Sequence, residues 1–141
     1  EVLNPDYAIF GLKDYQQFLI IKKFSKKHNL QTKILGSPII REDDGLAMSS
    51  RNNLLTPEER KIAPKIFEQL TLIKNNIKNK THNELIINSI EAFKENNIFP
   101  EYLTILNPET LEDANESDSS VLIAIAVKLG NVRLIDNILI N

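Results

Sequence analysis

An alternation within the first forty residues most constrains this fold. The apolar run "DYAIFG" (6–11) reads as a short buried strand ending at Gly11. "DYQQFLIIKKFSKKHN" (14–29) reads as a helix with Tyr15, Phe18, Ile21 and Phe24 near one face. Asp14 is a helix N-cap with Gln17 three residues on, the pattern of a capping box. "QTKILGSPII" (31–40) is a second strand. Strand, helix and strand within about 35 residues make a βαβ unit, so the two strands are expected to run parallel. A parallel sheet normally has more strands and helices on both faces. Two strands make a poor domain, and the chain enters the first of them soon after Glu1, with no initiating methionine. We read this start as the cut end of a larger protein; removal of a tag or leader is the simpler alternative.

After Ile40 the pattern changes. A polar loop (41–55) leads to Thr56-Pro57-Glu58-Glu59, which combines an N-cap threonine, proline at the first helical position and glutamate at the third. Ile62, Ala63, Ile66, Phe67 and Leu70 follow on one face, and Pro64 must bend or divide that helix. Thr81 to Glu84 repeats the capping box ahead of Leu85, Ile86, Ser89, Ile90 and Phe93. "EYLTIL" (101–106) is a strand, Asn107-Pro108 a turn and "NESDSS" (115–120) a polar loop. "VLIAIAVKLGNVRLIDNILI" (121–140) is a hairpin turning at Gly130-Asn131. The expected organisation is α/β followed by α+β, with domains at 1–40 and 41–141.

Composition narrows the function classes. At 42% hydrophobic and 26% charged, the 141 residues resemble an ordinary soluble globular chain. A formal net charge of −2 gives no basic surface for nucleic acid or anionic membrane. Without cysteine there are no disulfides or thiolate metal sites, which fits a cytoplasmic chain. No apolar run reaches the roughly 20 residues of a membrane span, and no signal peptide is visible.

Two segments carry candidate chemistry. Gly11 to Asp14 lies where a strand passes into a helix, the place where open α/β sheets bind ligands and helix N-termini hold anions. Lys13 there can reach a phosphate, Asp14 can accept from a ribose hydroxyl, and Gln17 can orient a polar substrate. The same residues can equally be two helix caps and a solvated lysine. Ser49-Ser50-Arg51 offers two hydroxyls and a forked cation suited to phosphate oxygens; an ordinary interdomain loop with an exposed arginine fits as well. Arg41, Glu42, Asp43 and Asp44 read as a solvated charged loop, from which a Mg²⁺ site is not legible. His28 and His82 read as isolated surface positions. Arg133, Asp136 and Asn137 read as a network on a sheet face. No nucleophile set and no metal-ligand spacing stands out.

The stretches "FGLKDYQQ" (10–17), "GSPIIREDDGLAMSSRNNLLTPEER" (36–60) and "KLGNVRLIDNILI" (128–140) resemble pantothenate synthetase, in the family's order and spacing. The resemblance is to the C-terminal half of that enzyme. It implies the remnant of a Rossmann-like nucleotidyltransferase domain followed by a small α+β lid domain. It also implies residue roles. Gly11, Leu12, Lys13 and Asp14 match the segment that contacts ATP, although leucine replaces the usual polar residue at 12 and leaves only its backbone to propose. Gln17 matches the pantoate-binding glutamine. Ile40 matches a residue, usually valine, whose backbone reads adenine. Met48, Ser49, Ser50 and Arg51 match a loop similar to the phosphate-binding loop of class I aminoacyl-tRNA synthetases. The family's N-terminal strand, its His-x-Gly-His motif and the other half of the pantoate pocket are absent from these residues.

The implied reaction has two steps, with ATP, Mg²⁺, pantoate and β-alanine as small-molecule participants. Pantoate carboxylate attacks the α-phosphorus of ATP, and the amine of β-alanine then attacks the acyl adenylate. Lys13 and Arg51 are the implied catalytic cations, the parent is expected to be a homodimer, and the 141 residues alone are expected to be inactive. Two other readings stay open: a structural or oligomerisation module, and part of another adenylate-forming enzyme of the same superfamily.

Overall fold

Strands β1 (Tyr7–Gly11) and β2 (Lys33–Ser37) run parallel, in register from Tyr7 against Lys33 to Gly11 against Ser37. The computed structural model describes residues 4–141, so the reading of Glu1 as a cut end falls outside it. The chain divides into two compact units, the first ending at Ile40 and the second being Arg41–Asn141.

Between β1 and β2 lie a 3-10 turn, Leu12–Asp14, and helix α1 (Tyr15–Lys27). The βαβ expectation is met, with two corrections. Asp14 stands at the N-cap position of α1 but makes no side-chain cap. An N-cap side chain reaches back from extended backbone; the preceding 3-10 turn leaves Asp14 at φ −93° and ψ 63° instead. The buried face is also rotated from the one expected. Phe18, Leu19 and Ser25 are buried, while Phe24 is exposed and lies against the His28 ring at 4.2 Å. At about 100° per residue, seven positions bring Ser25 nearly into line with Phe18, whereas six leave Phe24 about 120° away.

Helix α1 ends in a left-handed asparagine, Asn29 (φ 52°), with Asn29 N donating to Lys26 O and Leu30 N to Ser25 O. This is the Schellman arrangement, with asparagine where glycine is usual.

The second unit contains α2 (Pro57–Ile62), α3 (Lys65–Asn76) and α4 (His82–Glu95). Strands β3 (Phe99–Leu106), β4 (Val121–Leu129) and β5 (Val132–Ile140) form an antiparallel sheet in that order. Both expected capping boxes are present, at Thr56/Glu59 and Thr81/Glu84. Pro64, without an N–H and clashing one turn back, separates α2 from α3. Helix α4 repeats the asparagine ending at Asn97 (φ 55°), with Ile98 N donating to Phe93 O.

Ile66, Leu70 and Ile73 of α3 and Leu85 and Phe93 of α4 pack with alternate residues of the sheet, including Ile105, Ile123, Ile125, Val127 and Leu134. Complete burial of each such side chain contributes about 1.5–3 kcal/mol. Pro100 lies next to an irregularity of β3. Proline is tolerated there because β3 is an edge strand.

One polar residue interrupts this face. Asp136 pairs with Ile125 across β4–β5, two positions from both Leu134 and Ile138, and is buried. The expected network of Arg133, Asp136 and Asn137 is therefore corrected. Strand alternation turns Arg133 to the opposite face, where its Nε donates to Glu101 at 2.7 Å. Asp136 receives Arg41 instead, through bonds of 2.7 and 3.0 Å.

Candidate functional site

In the first unit, Gly11, Leu12, Lys13, Asp14 and Gln17 gather where β1 passes through the 3-10 turn into the first turn of α1. This is the carboxyl end of the parallel pair, the end at which α/β sheets bind ligands. Gly11, Asp14 and Gln17 are exposed; Leu12 and Lys13 are half-buried. A side chain added at Gly11 would meet open space, so a ligand can approach its backbone from that side. Leu12 instead lies over Gly36 of β2, where an added Cβ would come within 2.6 Å of its side chain. Ile40 follows β2 and is largely exposed.

In the second unit, the sequence predicts a solvated charged loop at 41–44; Asp43 and Asp44 are exposed, but Arg41 and Glu42 are half-buried and bonded, which corrects the reading for those two. Arg41 Nη1 donates to Asp136 and also to Gly45 O at 3.1 Å, and the guanidinium lies 3.6 Å from the centre of the Phe67 ring. Glu42 N donates to Leu46 O and Gly45 N to Glu42 O, with Gly45 at φ 90°. Arg60 of α2 forks onto Glu42 at 2.7 Å and Asp44 at 2.6 Å. The hydrogen bond from Asn52, then Arg60, holds the Glu42 carboxyl below its usual range. Arg60 does the same for Asp44.

The loop continues through buried Leu46 and Ala47 to Met48, Ser49, Ser50 and Arg51, of which Met48, Ser50 and Arg51 are exposed. Ser50–Leu54 is a short 3-10 helix, capped by Ser49 Oγ, which accepts from Arg51 N at 3.2 Å. A hydroxyl that accepts this bond still has its own proton to donate. Asn52 then turns inward and is buried.

The structure therefore assembles two groups, one in each unit: Gly11 to Asp14 with Gln17, and Met48 to Arg51. Sequence reasoning missed Glu42, Asn52 and Arg60. No periodicity or motif chemistry marks an asparagine in a polar loop as buried. His82 is a further correction: its side chain is only 12% exposed, with Nδ1 3.3 Å from Ala114 O and Nε2 3.5 Å from Glu116. Among the described residues, no three His, Cys, Asp or Glu side chains are grouped to hold a metal ion, and no helix is long and apolar enough to cross a membrane.

The sequence model of the family described as pantoate-beta-alanine ligase matches residues 1–139. The chain belongs to this family. It is 42% identical to a pantothenate synthetase of Acetivibrio thermocellus over 99% of its own length and 50% of the relative's. It is 43% identical to one of Clostridioides difficile, over 96% of this chain and 49% of the relative. The chain thus spans about half the length of the curated relatives it matches. Its backbone follows the crystal structure of pantothenate synthetase from Thermus thermophilus with a TM-score of 0.90 at 33% identity, over 97% of this chain and 50% of the other. A pantoate-beta-alanine ligase from Francisella tularensis, complexed with beta-gamma ATP and beta-alanine, matches with a TM-score of 0.67 at 30% identity, over 98% of this chain and 45% of that one. The α/β and α+β pieces are therefore those of the ligase fold.

Proposed function

We propose that this chain supplies part of an ATP-dependent ligase that joins pantoate to β-alanine, giving pantothenate, AMP and pyrophosphate. The family match over residues 1–139 carries this reading. The geometry of both candidate segments agrees with it: one lies at the carboxyl end of a parallel pair and the other is an exposed hydroxyl- and arginine-bearing loop.

In the first step a pantoate carboxylate oxygen bonds to the α-phosphorus, and the bond from that phosphorus to the bridging oxygen breaks to release pyrophosphate. In the second, the β-alanine amine bonds to the acyl carbon, AMP leaves and the nitrogen loses a proton. Two anions must approach in the first step. Lys13 and Arg51 offset that repulsion and stabilise the charge growing on the phosphates. Gly11, Leu12 and Asp14 contact the nucleotide, Ile40 reads adenine through its backbone, Gln17 orients pantoate, and Met48, Ser49 and Ser50 complete the phosphate loop. Mg²⁺ enters with ATP, as part of the substrate. Residues 1–40 belong to the nucleotide-binding domain and 41–141 form the lid that carries the phosphate loop. The working enzyme is a cytoplasmic homodimer that binds no nucleic acid.

The test is product analysis on the full-length enzyme that carries this segment, supplied with pantoate, β-alanine, ATP and Mg²⁺. Equal yields of pantothenate, AMP and pyrophosphate are expected. Formation of ADP and phosphate, or turnover of another carboxylate in preference to pantoate, would overturn the reading.

A further inference from the structure

Asn52 follows the candidate phosphate loop directly, yet it is buried, with a relative exposure of 6%. Its Nδ2 donates to Ala47 O at 3.2 Å and to Glu42 Oε1 at 2.6 Å. Both partners are acceptors, so the amide orientation is fixed by chemistry. Between Ala47 and Asn52 lie only Met48, Ser49, Ser50 and Arg51. The bond to Ala47 therefore closes the base of this segment from the side chain, while Asn52 N closes it from the backbone by donating to Ser49 O at 3.0 Å.

The bond to Glu42 extends the clasp outward. Glu42 accepts Asn52 on one carboxylate oxygen and Arg60 of α2 on the other, at 2.7 Å. A helix, a turn and the loop are thereby joined through one carboxylate. The arrangement is poor as a purely stabilising device, because Asn52 Oδ1 is buried with no hydrogen-bond partner among the described residues. A buried acceptor left unpaired is destabilising, and an apolar residue would avoid it. What the asparagine specifically brings is the pair of bonds made by Nδ2.

We propose that Asn52 is a positioning residue for adenylate formation: with Glu42 it holds Ser49, Ser50 and Arg51 in the geometry that meets the triphosphate. This rests on the function proposed above. The loop touches the leaving pyrophosphate, so the clasp acts on the first step and not on attack by the amine.

The test uses the full-length enzyme carrying this segment. Asn52→Asp keeps the side-chain size but removes both donors and sets a carboxylate against Glu42. Single-turnover pyrophosphate release is expected to slow by about 30-fold, since misplacement near 1 Å costs on the order of 100-fold. Reaction of preformed pantoyl adenylate with β-alanine should stay within about twofold of wild type, as expected for a group acting on one step. Adding Glu42→Gln to Asn52→Asp lets the new amide donate to the new carboxylate and still accept from Arg60, and should recover at least about threefold. If Asn52→Asp does not fold, Glu42→Ala removes the same link from a half-buried position. Arg51→Ala, measured alongside, separates the two levels. If it is slow while Asn52→Asp and Glu42→Ala both match wild type, the clasp is refuted and the phosphate loop stands. If Arg51→Ala also matches wild type, the loop's function fails and the clasp with it. Equal slowing of both chemical steps by Asn52→Asp would reduce Asn52 to a general structural role and overturn the proposal.

Discussion

Arg41 and Asp136 stand 95 positions apart in the chain and are joined by two hydrogen bonds, with the Asp136 side chain 3% and the Arg41 side chain 18% exposed. Asp136 occupies a core-facing position of β5, where its carboxylate accepts that fork and a further bond from Asn137 N. Removing one member of a buried pair costs about 3–5 kcal/mol, because the other is left uncompensated. Arg41→Ala should therefore destabilise the protein by about that amount, whereas Arg41→Met combined with Asp136→Leu should lie much closer to wild type. Urea denaturation of the three proteins measures this. A mild Arg41→Ala would mean that the pair is not what holds the start of the loop on β5.

Lys13→Ala or Arg51→Ala in the full-length enzyme should slow pyrophosphate release by about 100-fold or more, about 3 kcal/mol in barrier, as for loss of one preorganised charge-stabilising group. Arg51 is exposed and outside the core, so the melting temperature of its variant should hardly move. Wild-type rates in both variants would remove these two residues from the adenylation step.

Acid should weaken the 42–60 network. The folded carboxyls of Glu42 and Asp44 lie below their ordinary values, Asn52 and Arg60 being the causes. A depressed folded pKa adds stability that is fully present above the unfolded values, about 4.3 and 3.9, and is lost as pH falls through the folded ones. Both groups are accessible to solvent, so screening keeps the effect modest. Denaturant midpoints followed from about pH 6 to pH 2 should fall less steeply in Arg60→Ala than in wild type. Parallel slopes would show that Arg60 does not set these carboxyls.

The N-cap of α4 gives a cleaner stability test. Thr81 accepts from Glu84 N while Glu84 Oε2 accepts from Thr81 N at 3.0 Å. Thr81→Ala should cost about 1 kcal/mol, read from thermal or chemical unfolding. No measurable loss would mean that Glu116, which accepts from His82 N at 2.7 Å, caps this helix by itself.

The 141 residues alone should form no pantothenate from pantoate, ATP, Mg²⁺ and β-alanine. Transition-state stabilisation needs all participating groups held together, and this chain spans half the length of its relatives. Turnover that survives further purification would place a complete site within these residues.

What the sequence disclosed follows the range of the interactions involved. The two threonine caps, the Pro64 break and the Gly130-Asn131 hairpin rest on chemistry spanning a few residues, and each was legible. The Asp14 cap failed within the same range because a 3-10 turn altered one backbone angle. Phe24 was misplaced because four apolar residues can be fitted to a helical face with some tolerance, whereas burial tracks the angle closely. Arg41 with Asp136 and Arg60 with Glu42 were illegible because the fold creates the proximity. The candidate segments were readable as polar loops near helix starts, but spacing left binding and solvation equally open, and the binding reading rests on the family likeness alone.

Leu12 and Gly36 have a consequence for anyone transplanting parts between relatives. The leucine occupies the volume that a β-carbon at 36 would need, so the two positions form a single steric unit shared by the Leu12–Asp14 turn and the second strand. A cassette carrying "GLKD" into a strand with a bulkier residue at the equivalent of 36 would force the leucine side chain out of its present position. Compatibility in a chimera is decided at that pair before any question of recognition arises.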